Sequence, residues 1–244
     1  MPCARTRGCA RSTWERSMLE VKGLHAAYGR AQILFGIDLE LRKGEVVVLL
    51  GRNGAGKSTT MKAVMGLLRP SAGSVRFLGA DIERAKPHRV ARLGLGYVPE
   101  DRRIFTDLTV EENLEVGRQP PREGVPHWTV PKLYDLFPNL GRMKSRLGGR
   151  MSGGEQQMLT IARTLMGNPV AVLLDEPSEG LAPVIVEQMV RTIRDLKREG
   201  LAILLSEQNM NFAAAVADRA YFIEQGHIRF AGDVAAVRER YQSL

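Results

Sequence analysis

Residues 51–59, GRNGAGKST, constrain this chain more tightly than any other stretch, because an apolar run (46–50) leads into them and a helix-forming segment (61–68) follows. The pattern is GxxxxGK[ST]. Gly51, Gly54 and Gly56 let the backbone curl so that successive N–H groups point inward, and the following helix adds the positive end of its dipole. Arg52, Asn53 and Ala55 complete the loop, Lys57 supplies a full charge, and Thr59 runs on into the helix. The Ser58 hydroxyl stands where it can ligate Mg²⁺, which a triphosphate needs because it carries too much charge to bind and react uncompensated. A Rossmann dinucleotide fold would need GxGxxG here, without the Lys-Ser pair.

Two further apolar runs, 170–174 and 201–205, join 46–50 as buried parallel strands, each carrying chemistry at its C-terminal end, where ligands bind in open α/β sheets. The first ends in AVLLDEP. Asp175 is placed to hold Mg²⁺, directly or through water, and Glu176 to accept a proton from the water attacking a γ-phosphate. A third motif, Ser152, Gly153, Gly154 and Glu155, opens a helix. A hydroxyl, two amides without side chains and a helix N-terminus suit a second anion; the same residues also make an ordinary N-cap with a capping box, and both readings stand.

The intervening pattern is α/β throughout. Residues 19–21, 37–41 and 74–78 read as antiparallel strands, with PSAG (70–73) as the turn before the last. Residues 107–167 read as helical, broken by a surface loop at Pro120, Pro121, Gly124 and Pro126, so a helical subdomain is expected over roughly 85–165. Val186, Met189, Val190, Ile193 and Leu196 share one face of a helix that starts near Pro183 and stops at Gly200. No apolar run approaches the ~18 residues that span a bilayer. Residues 1–17, Arg-rich and without apolar periodicity, read as a disordered extension or an over-extended start, with Met18 as the first residue of the ordered pattern and 18–244 as the domain. The two cysteines, Cys3 and Cys9, lie in that leader without a histidine to complete a metal site. The net charge of +8 is scattered, not interleaved with stacking aromatics, and implies no nucleic-acid partner.

Together these residues resemble the ATP-binding cassette (ABC) ATPase family over 18–244. That likeness implies a P-loop NTPase with a RecA-like core, an N-terminal antiparallel β-subdomain and an inserted α-helical subdomain, using ATP and Mg²⁺. It implies that SGGE completes the ATP site of a partner subunit, that Tyr28 stacks on adenine, and that residues 178–183, SEGLAP, lie at the seam between two chains. YVPEDRRIFTDLTVEENL, LLDEPSEGLAP and ILLSEQN narrow the resemblance to the LivF-type subunits of branched-chain amino acid importers. From this follow membrane permease subunits, a second ATPase paralogue or a second copy, a periplasmic solute-binding protein, and a place on the cytoplasmic face of the inner membrane. Related importers for urea or short amides are the alternative.

Two positions depart from the general ABC pattern. Where most members carry Gln to sense the γ-phosphate, this chain has Glu100; where most carry a switch histidine, it has Gln208. An amide can donate to a phosphate oxygen but cannot become cationic. Glu100 needs Mg²⁺ or a water to screen it from phosphate. Ile104 and Phe105 read equally as an apolar foothold for a permease helix or as core.

Overall fold

The computed structural model describes residues 17–123 and 125–242. The leader, Cys3, Cys9 and Gly124 lie outside them. Two sheets carry the chain. Strands β1 (Ser17–Tyr28), β2 (Ala31–Arg42), β4 (Ala72–Phe77) and β5 (Ala80–Asp81) form an antiparallel sheet in the order β2-β1-β4-β5. The second sheet has β3 (Val46–Leu50), β6 (Leu95–Val98), β7 (Ala171–Asp175), β8 (Ala202–Glu207), β9 (Arg219–Glu224) and β10 (His227–Asp233), ordered β10-β9-β3-β8-β7-β6. All its pairings are parallel except that of β10 with β9.

Every residue of β3, β7 and β8 is buried, which is why these runs read as continuous rather than alternating. Their side chains nevertheless alternate between two cores. Val46, Val48, Leu50, Leu174 and Leu205 face one side, where α6 (Gly153–Leu165), α7 (Pro183–Arg198) and α8 (Met210–Val216) cover the sheet. Val47, Leu49, Leu173 and Leu204 face the other, packed with α1 (Lys57–Val64) and the antiparallel sheet. Met189, Ile193 and Leu196 are the buried stripe of α7, and Gly200, at φ 87°, turns the chain out of it.

The expected helical subdomain is corrected at its start. Helix α2 (Pro87–Leu93) is followed by β6, which pairs with β7 at the edge of the parallel sheet, so the unbroken helical stretch begins only with α3 (Val110–Val116). β6 is four residues long and contains Gly96, too short for a periodic signal to outweigh its neighbours. Between α3 and α6 lie α4 (Val130–Leu136) and α5 (Pro138–Arg142), joined to α3 by the Pro-rich loop. Helix α1 is likewise shorter than its sequence suggests, ending at Val64, with Gly66 at φ 71° just beyond. No described helix is long and apolar enough to cross a membrane.

Asn113 of α3 holds the segment that follows β6. Fully buried, it accepts from Phe105 N at 3.0 Å and donates to the carbonyls of Phe105, Leu108 and Thr109 at 3.0, 3.1 and 2.9 Å. Asn113→Ala is expected to lower unfolding stability by about 2–4 kcal/mol, because several buried backbone groups lose their partner at once. Urea denaturation measures this, and a loss below about 1 kcal/mol would show the loop holding its shape without that side chain.

Candidate active site

β3 delivers the chain to Gly51, whose N–H bonds to the Glu207 carbonyl at 3.1 Å. A Cβ on Gly51 would stand 2.4 Å from the Ile223 carbonyl oxygen, and one on Gly56 would stand 2.8 Å from Leu34 Cδ2. Gly54 and Gly56 have φ of 79° and 111°, values that L side chains resist. The loop therefore admits only glycine at its ends and its bend. Among the described residues, the N–H groups of Gly54, Gly56, Lys57 and Ser58 bond to no carbonyl. Unpaired amides converging at a helix start fit a polyphosphate. Arg52 and Asn53 are exposed beside them; Thr59 is buried behind, and Ala55 O accepts from Gly226 N at 2.9 Å.

Lys57 Nζ donates to the carbonyls of Gly51 and Arg52 at 2.9 and 3.0 Å and pairs with Glu176 Oε1 at 3.0 Å. Both side chains of that pair are at least nine-tenths buried. All three ammonium protons are thus committed. Glu176 sits at φ 47°, an uncommon conformation for a side-chain-bearing residue, and its N–H is held by the Ser206 carbonyl and hydroxyl at 3.2 and 3.0 Å. Its second oxygen, Oε2, accepts from no N–H or hydroxyl group among the described residues. Glu179, exposed nearby, has its pKa raised to about 7, chiefly by the hydrogen bond its protonated carboxyl makes to the Glu176 side chain. Burial and the charges of Glu176 and Glu100 add to the rise, against Lys57.

Asp175, the last residue of β7, is buried among hydroxyls. Oδ1 accepts from Ser206 at 2.6 Å and Ser58 at 2.9 Å, and Oδ2 from Tyr97 at 3.1 Å. Burial, then the Asp175 charge, push the Tyr97 phenol well above its ordinary range, so it remains a donor. Ser58 and Asp175 bring two hard oxygens together, the donor type that Mg²⁺ takes. No cluster of three or more His, Cys, Asp or Glu able to hold a metal occurs among the described residues. Mg²⁺ at a triphosphate requires none, since phosphate oxygens and water supply the remaining ligands.

Other expected site residues lie apart from this centre. Tyr28, 48% exposed, is at the tip of the β1–β2 hairpin, which reaches the phosphate loop through Leu34 against Gly56. Ser152–Glu155 starts α6 with the capping box: Ser152 Oγ accepts from Glu155 N at 3.4 Å, while Ser152 N donates to Glu155 Oε2 at 2.7 Å. No hydrogen bond or ion pair joins these residues to 51–59 among the described residues. Gly153 instead packs under the Arg102 guanidinium and Gly154 against Ile185. Glu100 and Gln208 are exposed in the loops after β6 and β8, and neither forms a hydrogen bond among the described residues.

Four residues that sequence reasoning passed over complete the centre: Tyr97, Glu179, Ser206 and Glu207. Each is near the C-terminal end of a parallel strand or in the loop after one. Aligning Asp175 with Ser206 and Leu50 with Glu207, as the sheet does, was the signal available to find the last two.

Comparison with known proteins places this geometry. The family model described as "ABC transporter" matches residues 34–179. The chain is 43% identical to the high-affinity branched-chain amino acid transport ATP-binding protein BraG of Pseudomonas aeruginosa, covering 86% of this chain and 91% of that one. It is 35% identical to the probable branched-chain amino acid transport ATP-binding protein LivF of Archaeoglobus fulgidus, covering 93% and 98%. The lipopolysaccharide export system ATP-binding protein LptB of Haemophilus influenzae is 36% identical, covering 87% and 89%. Among solved structures, an ATP-binding subunit of an ABC transporter superposes with a TM-score of 0.80 at 29% identity, covering 92% and 93%.

Gly51→Ala tests the cradle. Its methyl group cannot fit beside the Ile223 carbonyl without moving the loop, and losing one charge-assisted amide contact to phosphate costs about 1.5–3 kcal/mol, so affinity for ATP is expected to fall about 10- to 100-fold. Titration with a fluorescent ATP analogue reads this; wild-type affinity would mean that the close approach at Gly51 is irrelevant to binding.

Proposed function

The chain belongs to the ABC transporter ATP-binding family, and from that premise we propose that it is the ATP-hydrolysing subunit of an importer for branched-chain amino acids. The observation that carries the hydrolytic part is the buried Lys57–Glu176 contact at the mouth of the phosphate loop. An ammonium saturated by two carbonyls and a carboxylate can turn to a phosphate only by giving up one of them, and the carboxylate is the mobile partner. Glu176, so released, is a base beside the γ-phosphate, able to take the proton of an attacking water. Ser58 and Asp175 would hold Mg²⁺, which when bound would offset phosphate charge. Tyr97 and Ser206 keep the Asp175 carboxylate oriented for that role.

The transported class rests on two relatives named for branched-chain amino acid transport, 43% and 35% identical to this chain. Within this reading the subunit lies on the cytoplasmic face of the inner membrane, paired with an ATPase paralogue or a second copy, and served by a periplasmic solute-binding protein. Its permease helix docks in the groove of about 630 Å³ lined by Leu67, Tyr97, Arg103, Phe105, Val116 and Arg163. Phe105 is 47% exposed there with the Arg163 guanidinium 5.0 Å from its ring centroid, whereas Ile104 packs inward. The foothold is therefore Phe105 and not Ile104.

Two measurements on the assembled transporter test these claims. Glu176→Gln is expected to cut turnover by about 10²- to 10⁴-fold while MgATP still binds, as for loss of a general base; loss of binding together with turnover would refute that role. Leucine, isoleucine or valine with the cognate binding protein should stimulate the ATPase. Stimulation by urea or a short amide instead would reassign the solute and leave the ATPase reading intact.

A further inference from the structure

Glu207 ends β8 with its side chain 1% exposed, yet no lysine, arginine or histidine pairs with it among the described residues. A buried carboxylate without a cation is costly unless hydrogen bonds answer it. Here they come from two loops. Oε1 accepts from Ser178 N at 3.1 Å, in the segment after β7, and Oε2 from Asn209 N at 3.3 Å, in the segment after β8. The main-chain carbonyl of the same residue accepts from Gly51 N at 3.1 Å, the first amide of the phosphate loop. One residue therefore touches the phosphate loop, the acidic loop that follows Glu176, and the loop that carries Gln208. A hydroxyl in its place could not span the two amides.

We propose that Glu207 is a positioning residue of the ATPase: its carboxylate clasps the segment beginning at Ser178 to the segment holding Gln208, so that displacement of either is transmitted to the other. The clasp rests on the ATPase reading above and deepens it, because Ser178 begins the segment assigned to the seam between chains while Gln208 is assigned to the γ-phosphate. Burial, with a smaller push from the nearby Glu176 charge, raises the Glu207 carboxyl above the ordinary range, opposed by the Ser178 side chain and by the Asn209 and Ser178 amides. That balance is what a carboxylate held by hydrogen bonds alone should show. The two amides are consequently the groups whose behaviour reports the clasp.

The test uses the assembled transporter with Glu207→Gln, which keeps volume and shape but turns one acceptor into an NH₂ group facing an amide N–H. A side chain that merely fills space predicts no change. The clasp predicts faster hydrogen exchange at one or both of the 178 and 209 amides, measured without nucleotide, and kcat lower by about 10- to 100-fold with KM for ATP within about threefold, as for misplaced but intact chemistry. Unchanged exchange or unchanged kcat overturns the proposal. Should that variant fail to fold, Glu207→Asp keeps the charge but is one methylene short; it is expected to expose one or both amides and lower kcat severalfold, and wild-type behaviour there overturns the clasp equally. Absence of MgATP hydrolysis in the wild-type assembly would sink the ATPase reading itself, a failure recognisable before any variant is made.

Discussion

Three carboxylates stand buried at the C-terminal edge of one parallel sheet, and the surrounding loops take their shape from the need to answer them. Asp175, Glu176 and Glu207 are each at most 7% exposed. A carboxylate in such a place is tolerable only when donors reach it, and each is met differently: Asp175 by three hydroxyls, Glu176 by an ammonium, Glu207 by backbone amides. The donors come from the first turn of α1, from β6 and β8, and from the loops that follow β7 and β8. Satisfying the acids is thus the same act as bringing the phosphate loop, the β6 end and the acidic loop together.

The different answers imply different chemical roles. Hydroxyls leave a carboxylate fully charged and immobile, the condition for gripping a cation. An ammonium that must also serve phosphate leaves its carboxylate with a partner it can lose, the condition for a base. Glu176 stands strained at φ 47°, pinned by Ser206 through both its carbonyl and hydroxyl, so the backbone bears a local cost that fixes where the side chain points. Glu179 beside it has its carboxyl raised to about 7, chiefly by the hydrogen bond to the Glu176 side chain. Ser206 serves both acids at once, donating to Asp175 and receiving from Glu176, which makes it the hinge of the whole edge.

Much of this was legible in the residues, and the gaps have physical reasons. Strands β3, β7 and β8 announced themselves because both faces are covered and each is an apolar run up to the polar residues at the C-terminal ends of β7 and β8. GRNGAGKST is readable for a related reason: its glycines are demanded by a close backbone approach at Gly51 and by positive φ at Gly54 and Gly56, which leave a mark in the sequence. β6 escaped because four residues with a central glycine carry little pattern, and only pairing with β7 makes them a strand. Tyr97, Ser206 and Glu207 escaped because their importance lies in cross-strand register, and register is a property of the folded sheet. Glu207 enters the sequence reading only as part of ILLSEQN, although it is buried where Gln208 beside it is exposed.

The start of α6 shows why one chain leaves its chemistry unfinished. Glu155 there accepts from both the Ser152 N–H and the Ser152 hydroxyl, which places a negative charge at a helix N-terminus where an anion is otherwise welcome. The ordinary cap and the anion site, both open from sequence, are therefore not exclusive but competing uses of one set of donors. The cap satisfies Ser152; the N–H groups of Gly153 and Gly154 bond to no carbonyl among the described residues, and the Arg102 guanidinium lies against Gly153. Among the described residues these amides lie beside a cation, and no hydrogen bond or ion pair joins them to residues 51–59. On the proposed reading the phosphate they meet is held by a second subunit, and the capping box keeps α6 intact until it arrives.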